Sequence, residues 1–112
     1  MRKILAAATL GMLAFALPGE AAGSMLASWY GPGFHGRTTA NGEAYNMYGL
    51  TAAHKTLPFG TRLEDCYKAC TTVRINDRGP FIGARELDLS YGAAKAVGLL
   101  APGVANVTVK YL

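Results

Sequence analysis

The sequence is poor in cysteine, histidine, tryptophan and acid: its 112 residues hold two, two, one and seven of them. His35, His54, Cys66 and Cys70 are too few and too scattered to converge on one ion, so neither a metal nor any other cofactor is expected. The cysteine density of a stapled toxin or inhibitor is missing as well. Basic residues stand singly from Arg37 to Lys110. A nucleic-acid binder gathers such charge on one face and interleaves aromatics, and nucleic acid is therefore not an expected partner. There are no repeats, linkers or low-complexity stretches after residue 23, and the length sets one small domain.

Only one long apolar run exists, Ile4 to Leu17, and its 14 residues fall short of the roughly 20 that a membrane-spanning helix needs. Arg2 and Lys3 precede it, Pro18-Gly19 break it, and the small residues Ala21, Ala22 and Gly23 follow. That is the pattern of an export signal. Residues 1–22 are expected to be a signal peptide and 23–112 the mature domain, a monomer in the periplasm or outside the cell with no stable membrane anchor after cleavage. No cysteine lies at the junction to carry a lipid. Without Arg2, Lys3 and Glu20, the 11 basic and seven acidic residues become nine and six, a mildly cationic surface suited to anionic wall polymers. In an oxidising compartment Cys66 and Cys70 read as a disulfide closing one local loop. A cysteine hydrolase would instead need a free thiolate.

What remains is a succession of short β-type runs between glycine-rich turns. Ser24–Tyr30 ends at Gly31-Pro32-Gly33, and residues 31–49 carry five glycines in a long loop of the kind that bears function. Apolar runs resume at Leu50–Ala53 and Thr61–Leu63. Val73 and Ile75 alternate with Thr72, Arg74 and Asn76, as Leu87 and Leu89 do around Asp88. One helix is expected, capped by Ser90 and ended by Gly98, before a last strand over 107–112. Short strands with one short helix mean a small β-barrel or sandwich.

Four segments carry more specific information: Ala27-Ser28-Trp29-Tyr30-Gly31, Phe34-His35-Gly36-Arg37-Thr38-Thr39-Ala40-Asn41-Gly42-Glu43, Leu50–Thr61 with His54, and Val73–Phe81 with Asn76-Asp77-Arg78-Gly79-Pro80, followed by Leu87-Asp88-Leu89-Ser90. In this order and spacing the chain resembles the rare lipoprotein A (RlpA) family. The resemblance implies an all-β, six-stranded double-psi β-barrel. It also implies an endolytic lytic transglycosylase, a carbon–oxygen lyase that cuts MurNAc–GlcNAc linkages of peptidoglycan, preferably in peptide-free glycan strands, leaving 1,6-anhydro ends. Asp77, Glu43 and His54 match its catalytic positions. A non-catalytic, expansin-like module that binds or loosens the wall is the alternative, since such proteins share the barrel.

The chemistry asks for one acid/base. The sugar's own 6-hydroxyl attacks the anomeric carbon, so no second carboxylate need activate water. Asp77, in a Gly-Pro turn at a strand end, is expected to be that acid; a turn aspartate bonded only to its own backbone is the plainer reading. Glu43 either raises the proton affinity of Asp77 through like charge, binds sugar hydroxyls, or is an ordinary loop glutamate. His54 is expected to position the acid. Trp29 and Tyr30 are candidate sugar platforms, of which strand alternation lets only one face inward. Arg78 is expected to hold sugar or loop. Asp88 reads as structural, and His35 has no evident partner.

Overall fold

A computed structural model describes residues 21–112; the expected signal segment lies outside the described residues except for its last two positions. Six strands and one helix follow in order: β1 (Ala21–Tyr30), a 3-10 turn (Pro32–Phe34), β2 (Thr51–His54), β3 (Arg62–Cys66), β4 (Cys70–Asp77), β5 (Leu87–Ser90), α1 (Tyr91–Val97) and β6 (Ala105–Tyr111). The strands close into a barrel in the order β1-β5-β2-β4-β3-β6. β1 with β5 and β2 with β4 are parallel, and the other four pairings are antiparallel. Closure leaves no strand edge free among the described residues, the outcome a small β domain needs.

Alternation decides the interior. Leu63, Val73, Ile75, Leu87, Leu89, Val107 and Val109 point inward and are almost fully buried. Helix α1 plugs the barrel with Ala93, Ala94 and Val97. Its ends follow the local signals. Ser90 Oγ accepts from the Ala93 amide at 3.1 Å, and Gly98, at φ 85°, turns its N–H back to the carbonyls of Ala94 and Lys95. Ser90 also donates to the Gly49 carbonyl at 2.7 Å, so the same cap fastens the end of the long loop. Gly92 lies under that loop end, where an added Cβ would stand 2.7 Å from the Tyr48 carbonyl oxygen.

The strands differ from expectation at their ends. β1 begins at Ala21 and β6 at Ala105 because the two pair there, Ala21 with Lys110 and Ala27 with Ala105. β3 runs on to Cys66 through Asp65, which is wholly buried, where hydropathy gives no reason for a strand. The Cys66–Cys70 disulfide closes the β3–β4 hairpin.

The loop over residues 31–49 is ordered by its own pairing. Gly36 and Tyr45 exchange one backbone bond, Tyr45 and Arg37 another, and Thr38 bridges Ala44. Tyr45 is buried: its hydroxyl donates to the Tyr30 carbonyl at 3.0 Å and accepts from the Tyr91 amide at 3.2 Å. His35 has a partner here, since its Nδ1 accepts from the Met47 amide at 3.1 Å.

Candidate active site

Leu87 and Leu89 are core residues, so Asp88 between them faces outward. Registers then lay one row across four strands: Asp77 opposite Ala53, Ala53 opposite Asp88, Asp88 opposite Ser28. A register shift on β4 between Ile75 and Asp77 is what turns Asp77 onto this row. The alanine between the two aspartates leaves a low floor flanked by carboxyl groups. Ser28 Oγ donates to Asp88 at 2.9 Å. Burial pushes the Asp88 carboxyl above its ordinary range, the Ser28 bond and nearby Arg85 oppose this, and Asp77 adds to it.

Asp77 is half-buried. Its Oδ1 accepts from the backbone amides of Ala40 (2.8 Å) and Arg78 (2.9 Å), and its Oδ2 takes no hydrogen bond among the described residues. One oxygen is thus clamped while the other is free to meet a ligand. The Arg78 guanidinium points elsewhere, donating to the carbonyls of Leu57 (2.9 Å) and His54 (3.2 Å) and lying 4.0 Å over the Phe59 ring. It holds the loop that follows His54.

Glu43 is held by three side chains. Arg74 grips it with two bonds of 2.8 Å, and Asn41 (2.7 Å) and Asn76 (3.2 Å) complete the set. These bonds, Arg74's first, hold its carboxyl down at about 2. Glu43 is therefore a fixed anion at neutral pH, its charge matched by Arg74. The Asn41 amide bonds the Asn76 carbonyl at 3.2 Å, so Asp77 and Glu43 belong to one hydrogen-bonded frame.

His54 ends β2, one residue after the Ala53 that faces Asp77. Its Nδ1 accepts from the amides of Thr56 and Leu57, both at 3.1 Å, which leaves the proton on Nε2. Burial lowers its proton affinity; Arg78 and Lys55 lower it further, and Glu86 opposes them. A neutral imidazole offering Nε2–H is the result.

The aromatic pair divides as alternation requires. Trp29 packs against the core with its edge on Tyr91, the centroids 5.8 Å apart. Tyr30 lies on the other face, stacked on Tyr45 at 4.6 Å, so one face of its ring is already covered. Its hydroxyl is buried and unpartnered among the described residues. Burial, then the negative charge of Asp77 and Asp88, makes that phenol very hard to ionise. Sequence reasoning missed Arg74, Asn41 and Asn76 as the frame of Glu43, and Asp88 as the second carboxyl of the row. Only the outward alternation of Arg74 and Asn76 hinted at them. Among the described residues no group of three or more His, Cys, Asp or Glu is placed to hold a metal ion.

Comparison with known proteins agrees with this architecture. Residues 20–109 match the family model described as lytic transglycolase. The chain is 60% identical over 87 residues to a Synechocystis protein named probable endolytic peptidoglycan transglycosylase RlpA, covering 75% of this chain and 27% of that one. It is 52% identical over 90 residues to the endolytic peptidoglycan transglycosylase RlpA of Campylobacter jejuni, covering 78% and 33%. The chain thus spans about a third or less of the length of these relatives. Among solved structures, the Streptomyces papain inhibitor superposes with a TM-score of 0.65 at 21% identity, covering 85% of this chain and 96% of that one. An expansin of Clavibacter michiganensis gives 0.65 at 22%, covering 80% and 50%. Both share the fold, which by itself fixes no activity. The family match spans nearly the whole described barrel, and the chain belongs to the lytic transglycolase family as a double-psi β-barrel of the RlpA kind.

Proposed function

We propose that this domain is an endolytic peptidoglycan lytic transglycosylase that cleaves MurNAc–GlcNAc linkages of glycan strands and works as an exported monomer, residues 1–22 serving as its export signal. The observation that carries this reading is the half-clamped Asp77: two amides fix one oxygen, and the other is open beside a low floor. A strand laid along the row displaces water from Oδ2 and brings a glycosidic oxygen against it, and Asp77 enters the step as the acid. Oδ2–H then gives its proton to the glycosidic oxygen as the C1–O bond breaks. The 6-hydroxyl of the same sugar closes on C1, and its proton returns to Asp77, leaving an anhydro end and a regenerated acid. A nucleophile within the reacting sugar has a high effective concentration, which explains how one acid/base suffices.

The other residues position. Glu43, as a fixed anion, accepts hydroxyl hydrogen bonds or holds the 40–43 loop whose Ala40 amide clamps Asp77. His54 offers a neutral N–H donor. Asp77→Asn keeps the clamp, because the amide oxygen accepts the same two bonds, yet removes the transferable proton. It is expected to retain strand binding and lower cleavage by at least about a thousandfold, read as anhydro-ended fragments by mass spectrometry on peptide-free strands. Near-normal cleavage by this variant would sink the assignment. Binding by the unaltered domain without anhydro products would leave a wall-binding module of the expansin kind.

A further inference from the structure

A groove of about 480 Å³ opens on the outer face of the barrel, beside Glu43 and upstream of Asp77. Arg62, Thr72 and Arg74 line it from β3 and β4, Thr51 from β2 and Asn46 from the long loop. Arg74 stands three residues before Asp77, about 10 Å along β4. Arg62 and Arg74 face each other directly across the antiparallel β3–β4 pair, an arrangement that like charges disfavour. Glu43 neutralises Arg74. The acid next along the same face of β3, Glu64, is taken by Lys110 at 3.4 Å. Among the described residues, no carboxylate lies within ion-pair reach of Arg62. The groove thus sets two guanidinium groups against one carboxylate, with neutral hydroxyl and amide groups around them. At its wall Thr51 Oγ1 and Asn76 Oδ1 are closed off and lack hydrogen-bond partners among the described residues. A surplus guanidinium in a polar groove is matched by a planar anion that takes two parallel hydrogen bonds.

We propose that this groove is a carboxylate subsite, seated on Arg62, that takes the free lactyl carboxylate of a muramic acid residue in the bound strand. The inference rests on the glycan-strand reading above and deepens it. In a strand that carries stem peptides this carboxyl is consumed in an amide and is uncharged; in a peptide-free strand it is an anion. Arg62 therefore reads whether the peptide has been removed. A carboxylate at the far end of a stem peptide has the same chemistry, and the experiment separates the two sources.

Binding to the Asp77→Asn domain is measured with peptide-free strands, with the same strands after their lactyl carboxyls are converted to methylamides, and with peptide-bearing strands. Peptide-free strands are expected to bind about ten- to a hundredfold more tightly than either of the others, the span of a charge-assisted hydrogen bond. Arg62→Gln is expected to abolish that preference while leaving affinity for methylamide strands unchanged, and Arg62→Lys to restore part of it as a point charge. Equal affinity for free and amidated strands, or an equal loss for both in Arg62→Gln, overturns the subsite. Peptide-bearing strands that bind tightly through Arg62 overturn the lactyl assignment. Cleavage is scored separately with the unaltered domain. Carboxylate-dependent binding without anhydro products keeps the subsite and sinks the catalytic reading, and anhydro products without carboxylate dependence do the reverse.

Discussion

Asp65 shows what a single side chain can impose. It sits inside the barrel between Thr71 of β4 and Val109 of β6, with neither oxygen hydrogen-bonded among the described residues. Burial alone pushes its carboxyl up to about 7. Between the ordinary carboxyl value near 4 and about 7, the folded protein keeps a proton that the unfolded chain has released. Stability therefore falls as pH rises through that window and levels off above it, by as much as about 4 kcal/mol. Urea unfolding at pH 5, already inside the window, and at pH 8 is expected to show the larger part of this loss, and Asp65→Asn to remove most of it; an unchanged pH dependence in the variant would refute the assignment. Glu43 works in the opposite sense. Its carboxyl is held low, so its contribution is present above the ordinary carboxyl value and is lost as pH falls toward about 2. Neither behaviour was legible in the sequence. Glu64 and Asp65 are adjacent acids there, and only barrel closure sends one to solvent and the other to the core.

At the scale of elements, the sequence spoke clearly where signals are local. Ser90 and Gly98 bound the helix as capping chemistry requires, and alternation at 73–76 and 87–89 gave the faces of β4 and β5 correctly. Strand ends were harder to read, because they depend on a partner far along the chain: β1 extends back to Ala21 by pairing with Lys110. The site was half legible. The motif segments pointed to Asp77, Glu43 and His54, but the row through Ala53 to Asp88 is made by register, which no single segment encodes. The contact of α1 with the long loop carries a further prediction. Gly92→Ala puts a methyl group against the carbonyl oxygens of Tyr48 and Gly49, while the Gly92 amide bonds the Met47 carbonyl at 2.7 Å. The loop end must move, and overpacking of this kind costs about 1–3 kcal/mol. Thermal unfolding is expected to report that loss. Glycan cleavage should fall with it, since the same loop carries Glu43 and the Ala40 amide. Full stability in this variant would show that the contact is loose.

For the molecule as a whole, stability comes from closure. Every strand is paired on both sides, and the disulfide adds only a short tie. Cys66 and Cys70 are four residues apart, so replacing both by serine is expected to cost no more than about 2 kcal/mol. Circular dichroism melts of the oxidised and doubly substituted proteins check this, and collapse of the fold would contradict it. The hairpin loop also leans on the helix end, with the Lys68 amide bonded to the Val97 carbonyl at 2.9 Å, so the tie steadies a surface already in contact.

The first and last strands are neighbours running in opposite directions, Ala21 beside Lys110 and Ala27 beside Ala105. Tension applied at Ala21 and Leu112 therefore loads the rungs of this seam one after another rather than all at once. Under mechanical stress the barrel opens there like a zip, at low force. The cleft is spared at first, because the Ser28–Asp88 bond lies about 20 Å further along β1 and feels the strain only after the seam has parted.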